Sequence, residues 1–294
     1  MNIGFAFIGV GLSAEPDVIT VIAETAEACG YHSLWAPEHI VLLDQYSSKY
    51  PYTQDGVMPF PSLEIDLLDP FLALTYAAAS TKKIRLGTGI CLVPERHPLT
   101  TAKEVASLDK LSQGRFDFGI GIGWLKEEFD ALQIPWPRRA QRTRDYLAAM
   151  KTLWTTTESQ HQGEFVTFPP LRSFPKPVQQ PHPPLIFGGE SEPALRRAGE
   201  IGDGWWGVNV TVEAAARHKQ TIGDFARAAG RDPDKLTYAV SPQLGGPIGP
   251  DEIKQYADAG IDQVIVGAFC ASADEYKRTI EQTAESLIVP NTSA

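Results

Sequence analysis

Apolar runs of strand length alternate along this chain with amphipathic segments of helical period. The apolar runs predict eight strands, at Ile3–Ile8, Ser33–Ala36, Ile84–Leu92, Arg115–Ile120, Pro184–Phe187, Gly204–Val210, Leu236–Ser241 and Gln263–Ala268. The amphipathic segments predict helices at Pro16–Ala28, Pro70–Ser80, Leu99–Leu111, Lys126–Leu132, Arg139–Leu153, Glu192–Ile201, Val212–Ala229, Pro250–Ala259 and Ala273–Ser286. Such alternation indicates an α/β protein with a parallel sheet, and eight strands can close into a TIM (β/α)8 barrel. A doubly wound open sheet is the alternative.

Two connections are longer than ordinary loops. Residues 40–69 are rich in Tyr, Pro, Ser and Asp and follow the second strand, whereas residues 155–183 are rich in proline and aromatic residues. Because the loops that follow barrel strands surround the site, both segments are predicted as insertions in βα loops that form walls and a lid. Surface decoration is the alternative. Residues 1–294 are predicted to form a single domain.

Composition narrows the class of protein. The chain has 294 residues, of which 43% are hydrophobic, and no apolar run approaches the roughly 20 residues of a membrane span. A formal net charge of −10 argues against nucleic acid and anionic membranes as partners. The first predicted strand has no basic segment before it, so we do not predict a signal peptide. The three cysteines are too few for a disulfide framework, and their spacing fits no metal site. We therefore expect a cytoplasmic protein that acts on a small molecule and holds no metal.

Glycines mark the ends of the third and fourth predicted strands. Gly87-Thr-Gly-Ile90 ends the third strand, and Gly119, Gly121 and Gly123 accompany the fourth. Glycine in a strand suits a bulge, or a backbone bare enough for a planar cofactor to lie against it. The alternative is that large neighbouring side chains fill these gaps. The spacing does not match the G-x-G-x-x-G fingerprint, so we exclude a Rossmann nicotinamide site.

The segment Phe187–Pro193 ends the fifth strand and opens a helix. Gly188, Gly189 and Ser191 expose backbone N–H groups at this helix start, which suits a phosphate. The acidic residues beside them, Glu190 and Glu192, count against an anion, because carboxylates compete for the positive end of the helix dipole. An ordinary capped helix is the alternative.

Other candidate residues are a histidine, several arginines and four tryptophans. His39, after Glu38 at the end of the second strand, can serve as acid, base or hydrogen-bond donor, or it can simply cap a loop. The basic pairs Arg96-His97 and Arg138-Arg139 can meet an anion, although ion pairs within the protein are the alternative. Four tryptophans at strand ends predict an aromatic substrate pocket, with core packing as the alternative: Trp35, Trp124, Trp205 and Trp206.

Taken in order, these motifs resemble the bacterial-luciferase-like family of flavin and deazaflavin oxidoreductases. The resemblance covers nearly the whole chain, through Ala26–His39, Ile84–Pro94, Ala102–Arg115, Phe118–Trp124, Arg139–Trp154, Pro184–Gly189 and Gly202–Gly204. It implies a TIM barrel, usually a homodimer, with the cofactor at the carboxyl ends of the strands. Within the family, the chain is most similar to the branch that uses coenzyme F420, a 5-deazaflavin.

The resemblance also implies roles for individual residues. Glu38 and His39 match an acidic–histidine pair beside the deazaflavin ring, with His39 as the catalytic acid, base or hydrogen-bond donor. Gly89–Ile90 matches a bulge whose cis peptide backs the ring, and Gly188–Gly189 matches the backbone that holds the phosphate. The predicted cofactor-binding set is completed by Gly121, Gly123 and Ser191.

Two departures from the family pattern are informative. Ile122 stands where FMN-using members carry an arginine for the phosphate, which favours the deazaflavin. Trp124 stands where sugar-phosphate dehydrogenases of the deazaflavin branch carry a catalytic glutamate, which argues against glucose-6-phosphate as the substrate. We therefore predict hydride transfer between F420 and a small organic substrate, with His39 handling the accompanying proton. An FMN-dependent monooxygenase that works with a separate flavin reductase is the alternative.

Overall fold

The computed structural model describes residues 1–60, 62–243, 246 and 248–288. Its strands are β1 (Asn2–Ala6), β2 (Ser33–Ala36), β3 (Arg85–Thr88), β4 (Cys91–Leu92), β5 (Phe116–Gly121), β6 (Ser159–Gln162), β7 (Thr167–Leu171), β8 (Leu185–Gly188), β9 (Gly204–Val208), β10 (Thr237–Ser241) and β11 (Gln263–Gly267). Its helices are α1 (Pro16–Ala28), α2 (Pro70–Ser80), α3 (Pro98–Leu111), α4 (Lys126–Ala131), α5 (Arg139–Thr155), α6 (Glu192–Ile201), α7 (Val212–Ala228), α8 (Pro250–Asp258) and α9 (Ala273–Leu287).

Eight of the described strands close into a parallel barrel. They neighbour one another in the order β3-β2-β1-β11-β10-β9-β8-β5, and β5 then pairs with β3 through Leu86↔Phe116 and Gly87↔Asp117. This closure confirms the predicted TIM barrel and excludes the open sheet. All eight carboxyl ends therefore meet at one rim, which is where such barrels build their sites.

The third predicted strand, Ile84–Leu92, is interrupted and forms two short strands, β3 and β4. The peptide bond between Gly89 and Ile90 at the interruption is cis, as the sequence analysis expected. After it, β4 pairs with the carboxyl end of β5. The interruption therefore lies at the rim of the barrel, where the cavity described below opens.

Neighbouring side chains fill the space beside the glycines at the strand ends. A methyl group built on Gly121 or on Gly188 would come within 2.6 Å of Cδ1 of Ile90, and one built on Gly89 would meet the ring of Trp206 at 2.6 Å. The ring of Trp35 occupies the space beside Gly87 in the same way. The alternative given for these glycines, that large neighbouring side chains fill the gaps, therefore holds at these positions, and Gly89, Gly121 and Gly188 also line the cavity.

Gly119 gives the sharpest test of this packing. We expect Gly119→Ala to destabilise the fold by about 3 kcal/mol or more, because its methyl group would overlap the backbone carbonyl of Thr88, which cannot rotate away. Gly223→Ala in the middle of α7 is the matched control. Its methyl group would make ordinary contacts, and alanine should stabilise the helix by about 0.5–1 kcal/mol. Urea denaturation measures both; equal effects of the two variants would contradict the expected packing.

The two long segments lie in different parts of the structure. Residues 40–69 follow β2 and cover the carboxyl-end cavity, as predicted. Residues 155–183 connect α5 to β8 instead. In this segment Gln179 bonds to the carbonyl of Phe116 and to Arg85, at the amino ends of β5 and β3. The prediction that residues 155–183 form a wall or lid in a βα loop is therefore wrong, because a segment that follows a helix returns to the amino end of the next strand.

Membrane and metal features are absent from the described part of the chain. No helix there is long and apolar enough to cross a membrane. The described His, Cys, Asp and Glu residues form no group of three or more that could hold a metal ion. The three cysteines are free, and Cys91 is buried.

Candidate functional site

A cavity of about 720 Å³ opens at the carboxyl ends of the barrel strands. Trp35 and Trp206 lie at its inner end, with ring centroids 5.0 Å apart, and Tyr50 and Tyr52 of the first long segment close over it. The structure brings twelve of the predicted site residues to its wall: Trp35, Glu38, His39, Gly89, Ile90, Gly121, Gly123, Trp124, Gly188, Gly189, Ser191 and Trp206.

Trp205 does not line the cavity, so its predicted place in the substrate pocket is wrong. Neighbouring residues of a strand point to opposite faces of the sheet, and Trp206 takes the inner face. Trp205 is fully buried outside the barrel, where its ring lies 5.6 Å from that of His218 on α7 and its Nε1 donates to the carbonyl of Gly189. Trp205 therefore supports the wall from behind.

His39 is held by a buried carboxylate from α4. Oε2 of Glu128 lies 2.7 Å from Nδ1 of His39, and Oε1 accepts hydrogen bonds from the backbone N–H groups of Ile40 at 2.6 Å and Val41 at 3.2 Å. The side chain of Glu128 is fully buried, and that of His39 is 11% exposed. Because the carboxylate accepts the Nδ1 proton, Nε2 is the nitrogen left for proton exchange with a ligand.

The residue before it in α4 anchors the covering segment. Oε1 of Glu127 accepts hydrogen bonds from the backbone N–H and the hydroxyl of Ser47, and Oε2 accepts the hydroxyl of Ser48 at 2.7 Å. Two consecutive glutamates therefore position the residues that follow β2. Glu128 holds His39, and Glu127 holds the covering segment, residues 40–69, through Ser47 and Ser48.

Aromatic rings enclose His39 from the other side. The ring of Trp124 meets His39 edge-on at 5.9 Å, and the rings of Tyr46 and Tyr50 meet Trp124 at 5.7 and 5.2 Å. Trp124 therefore lies on the cavity wall, between the histidine and the covering segment. Such a wall keeps water away from the imidazole and leaves apolar surface for an organic substrate.

Glu38 reaches the cavity wall, but protein groups take both of its oxygens. Oε2 accepts from the backbone N–H of Leu92 at 2.5 Å, and Oε1 accepts from Nε of Arg96 at 2.6 Å. The same guanidinium also pairs with Asp69 and Glu104. Arg96 is therefore an internal ion-pair partner, and Glu38 joins β4 to the end of β2 rather than presenting a free carboxylate to a cofactor.

Two other arginines face the cavity without carboxylate partners among the described residues. Arg139 donates from Nε to the carbonyl of Gly123 at 3.2 Å, and its guanidinium lies 3.6 Å from the ring centroid of Trp136. Arg197 on α6 is 6% exposed, and its Nε has no hydrogen-bond partner in the described structure. Burial, with nearby Arg144 and Arg139, lowers the pKa of Arg197 to about 10. A buried arginine beside a half-buried one, both without counter-ions among the described residues, indicates a site for an anion.

The start of α6 lies beside these arginines on the cavity wall. Ser191 is its N-cap residue, and its hydroxyl makes no capping hydrogen bond. Of the two acidic residues that counted against an anion, Glu190 turns its Oε1 to the backbone N–H of Val208 at 2.7 Å, and burial raises its pKa to about 7. Glu192 pairs with Arg196 on the exposed side of the helix. Both objections to an anion are weakened by these contacts.

Sequence reasoning missed Glu128 and Arg197. Glu127 and Glu128 lie in the first turn of α4. Acidic residues are common there because they interact favourably with the helix dipole, so the pair does not by itself indicate a functional site. Arg197 could have been recognised from the sequence pattern, because it lies among Ala194, Leu195 and Ala198 on the buried face of α6. A cation on the apolar face of an amphipathic helix is a feature that could have identified it.

Comparison with known proteins agrees with the fold. The chain is 35% identical over 268 residues to the uncharacterized protein Rv0953c of Mycobacterium tuberculosis, covering 90% of this chain and 92% of that protein. It is 34% identical over 173 residues to the oxygenase component of the flavin-dependent trigonelline monooxygenase of Acinetobacter baylyi, covering 58% of this chain and 42% of that protein.

A solved structure and a family model complete the comparison. The coenzyme F420-dependent tetrahydromethanopterin reductase from Methanopyrus kandleri superposes with a TM-score of 0.76 at 19% identity, over 99% of each chain. Residues 5–286 match the family model described as luciferase-like monooxygenase. The chain therefore belongs to the luciferase-like monooxygenase family.

Proposed function

We propose that this protein is a coenzyme F420-dependent oxidoreductase that transfers a hydride between the deazaflavin and a small organic substrate. One observation carries the proposal: a single cavity is lined by His39, which Glu128 holds from behind, and by Arg139 and Arg197, which have no carboxylate partners among the described residues. A cofactor with a reactive ring and a phosphate requires both groups. The buried Nε of Arg197 needs an acceptor, and a phosphate oxygen would supply one.

The residues of the chain would divide the work as follows. Arg139, Arg197 and the start of α6 at Ser191 would hold the phosphate, and the Gly89–Ile90 backbone would lie against the ring. When bound, the deazaflavin would donate or accept the hydride. His39 would hold the accompanying proton at Nε2, while Glu128 keeps the Nδ1 proton in place.

The second candidate is an FMN-dependent monooxygenase of the same fold. It is favoured by the similarity to the trigonelline monooxygenase component, which its name describes as flavin-dependent. Against it stands Ile122, an apolar side chain on the cavity wall where the resemblance places an arginine in FMN-using members. A homodimer and a cytoplasmic location remain part of the proposal; the exposed Leu72 and Tyr76 of α2 would suit a subunit contact.

Titration of the purified apo-protein separates the two candidates. We expect F420 to quench protein fluorescence at much lower concentration than FMN does. Ile122→Arg should raise the affinity for FMN but leave riboflavin, which lacks the phosphate, unchanged. Tight binding of FMN together with undetectable binding of F420 would reject the F420 proposal and favour the monooxygenase.

A further inference from the structure

Glu190 places a carboxylate oxygen without a protein partner on the cavity wall. The acidic residues of the described structure that line the cavity are Glu38 and Glu190, and protein groups take both oxygens of Glu38. Oε1 of Glu190 accepts the backbone N–H of Val208 at 2.7 Å, whereas no other described residue donates to its Oε2. No described cation offsets the burial of this carboxyl group. Its second oxygen is therefore left for a ligand.

The end of β9 joins Glu190 to the segment that covers the cavity. Val208 binds Glu190, and the next residue, Asn209, donates from Nδ2 to the carbonyl of Tyr52 at 2.7 Å. Glu190 and Tyr52 are therefore anchored to two consecutive residues, and both line the cavity. Burial, followed by the charge of Glu190, raises the pKa of Tyr50 and of Tyr52, which agrees with this proximity.

Aromatic rings continue from Tyr52 along the cavity to His39. The ring centroids of Tyr52 and Tyr50 are 5.5 Å apart with an interplanar angle of 82°, and those of Tyr50 and Trp124 are 5.2 Å apart at 74°. Trp124 in turn meets His39 at 5.9 Å. This aromatic arc, which consists of Trp124, Tyr50 and Tyr52, runs from the histidine to the carboxylate of Glu190. Steeply inclined aromatic rings beside a carboxylate suit an organic cation, because the ring faces and the carboxylate both attract positive charge.

We propose that Glu190 and the aromatic arc bind the positively charged group of the substrate, and that the substrate is an organic ammonium ion. Glu190 faces the charge, and the rings enclose the carbon atoms attached to the nitrogen. The remainder of the substrate then extends along the arc toward His39. This inference rests on the proposed function, since it takes the bound cation to be the molecule on which hydride transfer acts.

The arginines of the cavity leave Glu190 free for a cation. Arg139 donates to the carbonyl of Gly123, and the charges that lower the pKa of Arg197, after burial, are those of Arg144 and Arg139. Neither arginine forms an ion pair with Glu190 in the described structure. The cavity therefore has a positive region for the proposed phosphate and a separate negative region at Glu190.

The experiment compares two ligands of the same shape that differ in charge. Choline is titrated into the purified full-length protein by calorimetry at constant ionic strength. Its neutral analogue, in which a tert-butyl group replaces the trimethylammonium group, is titrated in the same way. We expect choline to bind at least about tenfold more tightly than the analogue, because only choline gains from the carboxylate and the ring faces.

Glu190→Gln and Glu192→Gln form a matched pair of variants. Each removes one negative charge, but Glu190 lines the cavity, whereas Glu192 pairs with Arg196 on the exposed side of α6. We expect Glu190→Gln to lower the affinity for choline about tenfold and to leave the neutral analogue unchanged. Glu192→Gln should change neither affinity. This control is needed because a protein with a net charge of −10 attracts cations in general.

Two outcomes would overturn the inference. One is equal affinity of the wild type for choline and the analogue, including no detectable binding of either, and this comparison requires no variant to fold. The other is an equal loss of choline affinity in Glu190→Gln and Glu192→Gln, which would assign the attraction to the overall charge.

The titration contains no cofactor, so its failure is distinguishable from failure of the proposed function. Choline binding together with undetectable F420 binding would reject the proposed function and retain the cation site. F420 binding together with equal affinities for choline and the analogue would retain the proposed function and reject the cationic substrate.

Discussion

His39→Ala is expected to lower turnover by about 10²–10⁴-fold while leaving the barrel folded. The imidazole lies beyond the end of β2, where its Nε2 can reach a ligand in the cavity, and it contributes little to the core. Glu128 would keep its two backbone donors, Ile40 and Val41, in the variant. Steady-state kinetics with reduced F420 and a substrate found by screening measure the loss, and thermal denaturation measures the fold. Full activity in His39→Ala would contradict the assignment.

Glu128→Gln and Glu127→Gln form a matched pair that tests how His39 is held. The two residues are adjacent in α4, but only Glu128 contacts the imidazole, whereas Glu127 contacts Ser47 and Ser48. An amide at position 128 can no longer accept as a carboxylate from Nδ1, so we expect kcat to fall and its pH profile to shift. Glu127→Gln should leave the pH profile of kcat unchanged. Equal shifts in the two variants would show that Glu128 has no specific role.

Arg197→Met is expected to weaken binding of F420 and of FMN by about tenfold to a hundredfold, since a charge-assisted hydrogen bond to the phosphate is lost. Riboflavin has no phosphate, so its affinity should not change. The apo-protein should become more stable, because methionine fills part of the volume without a buried charge that lacks a counter-ion. Fluorescence titration measures the affinities, and thermal denaturation measures the stability.

Arg196→Met is the control for this variant. Arg196 is the neighbouring residue of α6, but it is exposed and pairs with Glu192 outside the cavity. We expect it to change neither ligand affinity nor melting temperature appreciably. A loss of riboflavin affinity as large as the loss of FMN affinity in Arg197→Met would show that Arg197 shapes the cavity rather than binding the phosphate.

The alternation of apolar runs with amphipathic segments determined the barrel. A buried parallel strand is apolar on both faces, and a helix that covers it is apolar on one face. The local sequence therefore shows both patterns: continuous apolar runs for the strands and the 3.6-residue period for the helices. The same pattern located His39 and the glycine turn at Gly188–Gly189, because the end of an apolar run marks the carboxyl end of a strand. The interruption at Gly89–Ile90 was predicted from the family resemblance.

Only the tertiary structure decided which neighbours these residues meet. Trp205 and Trp206 are adjacent residues of the same type, so the sequence does not tell which of them faces the cavity. The register of β9 turns Trp206 into the barrel and Trp205 outward against α7. The glycines of β5 and β8 make room for Ile90, a contact between strands that local sequence cannot show.

Long-range contacts also assembled the charged parts of the site. Glu128 reaches His39 across 89 positions of the chain, and Arg197 comes to the cavity from a helix whose other buried residues are small or apolar. Residues 155–183 do not line the cavity, because they follow α5 and lead to the amino end of β8. Local periodicity specifies the strands and helices, whereas the pairing of buried charges depends on barrel closure, which brings the ends of distant strands to one rim.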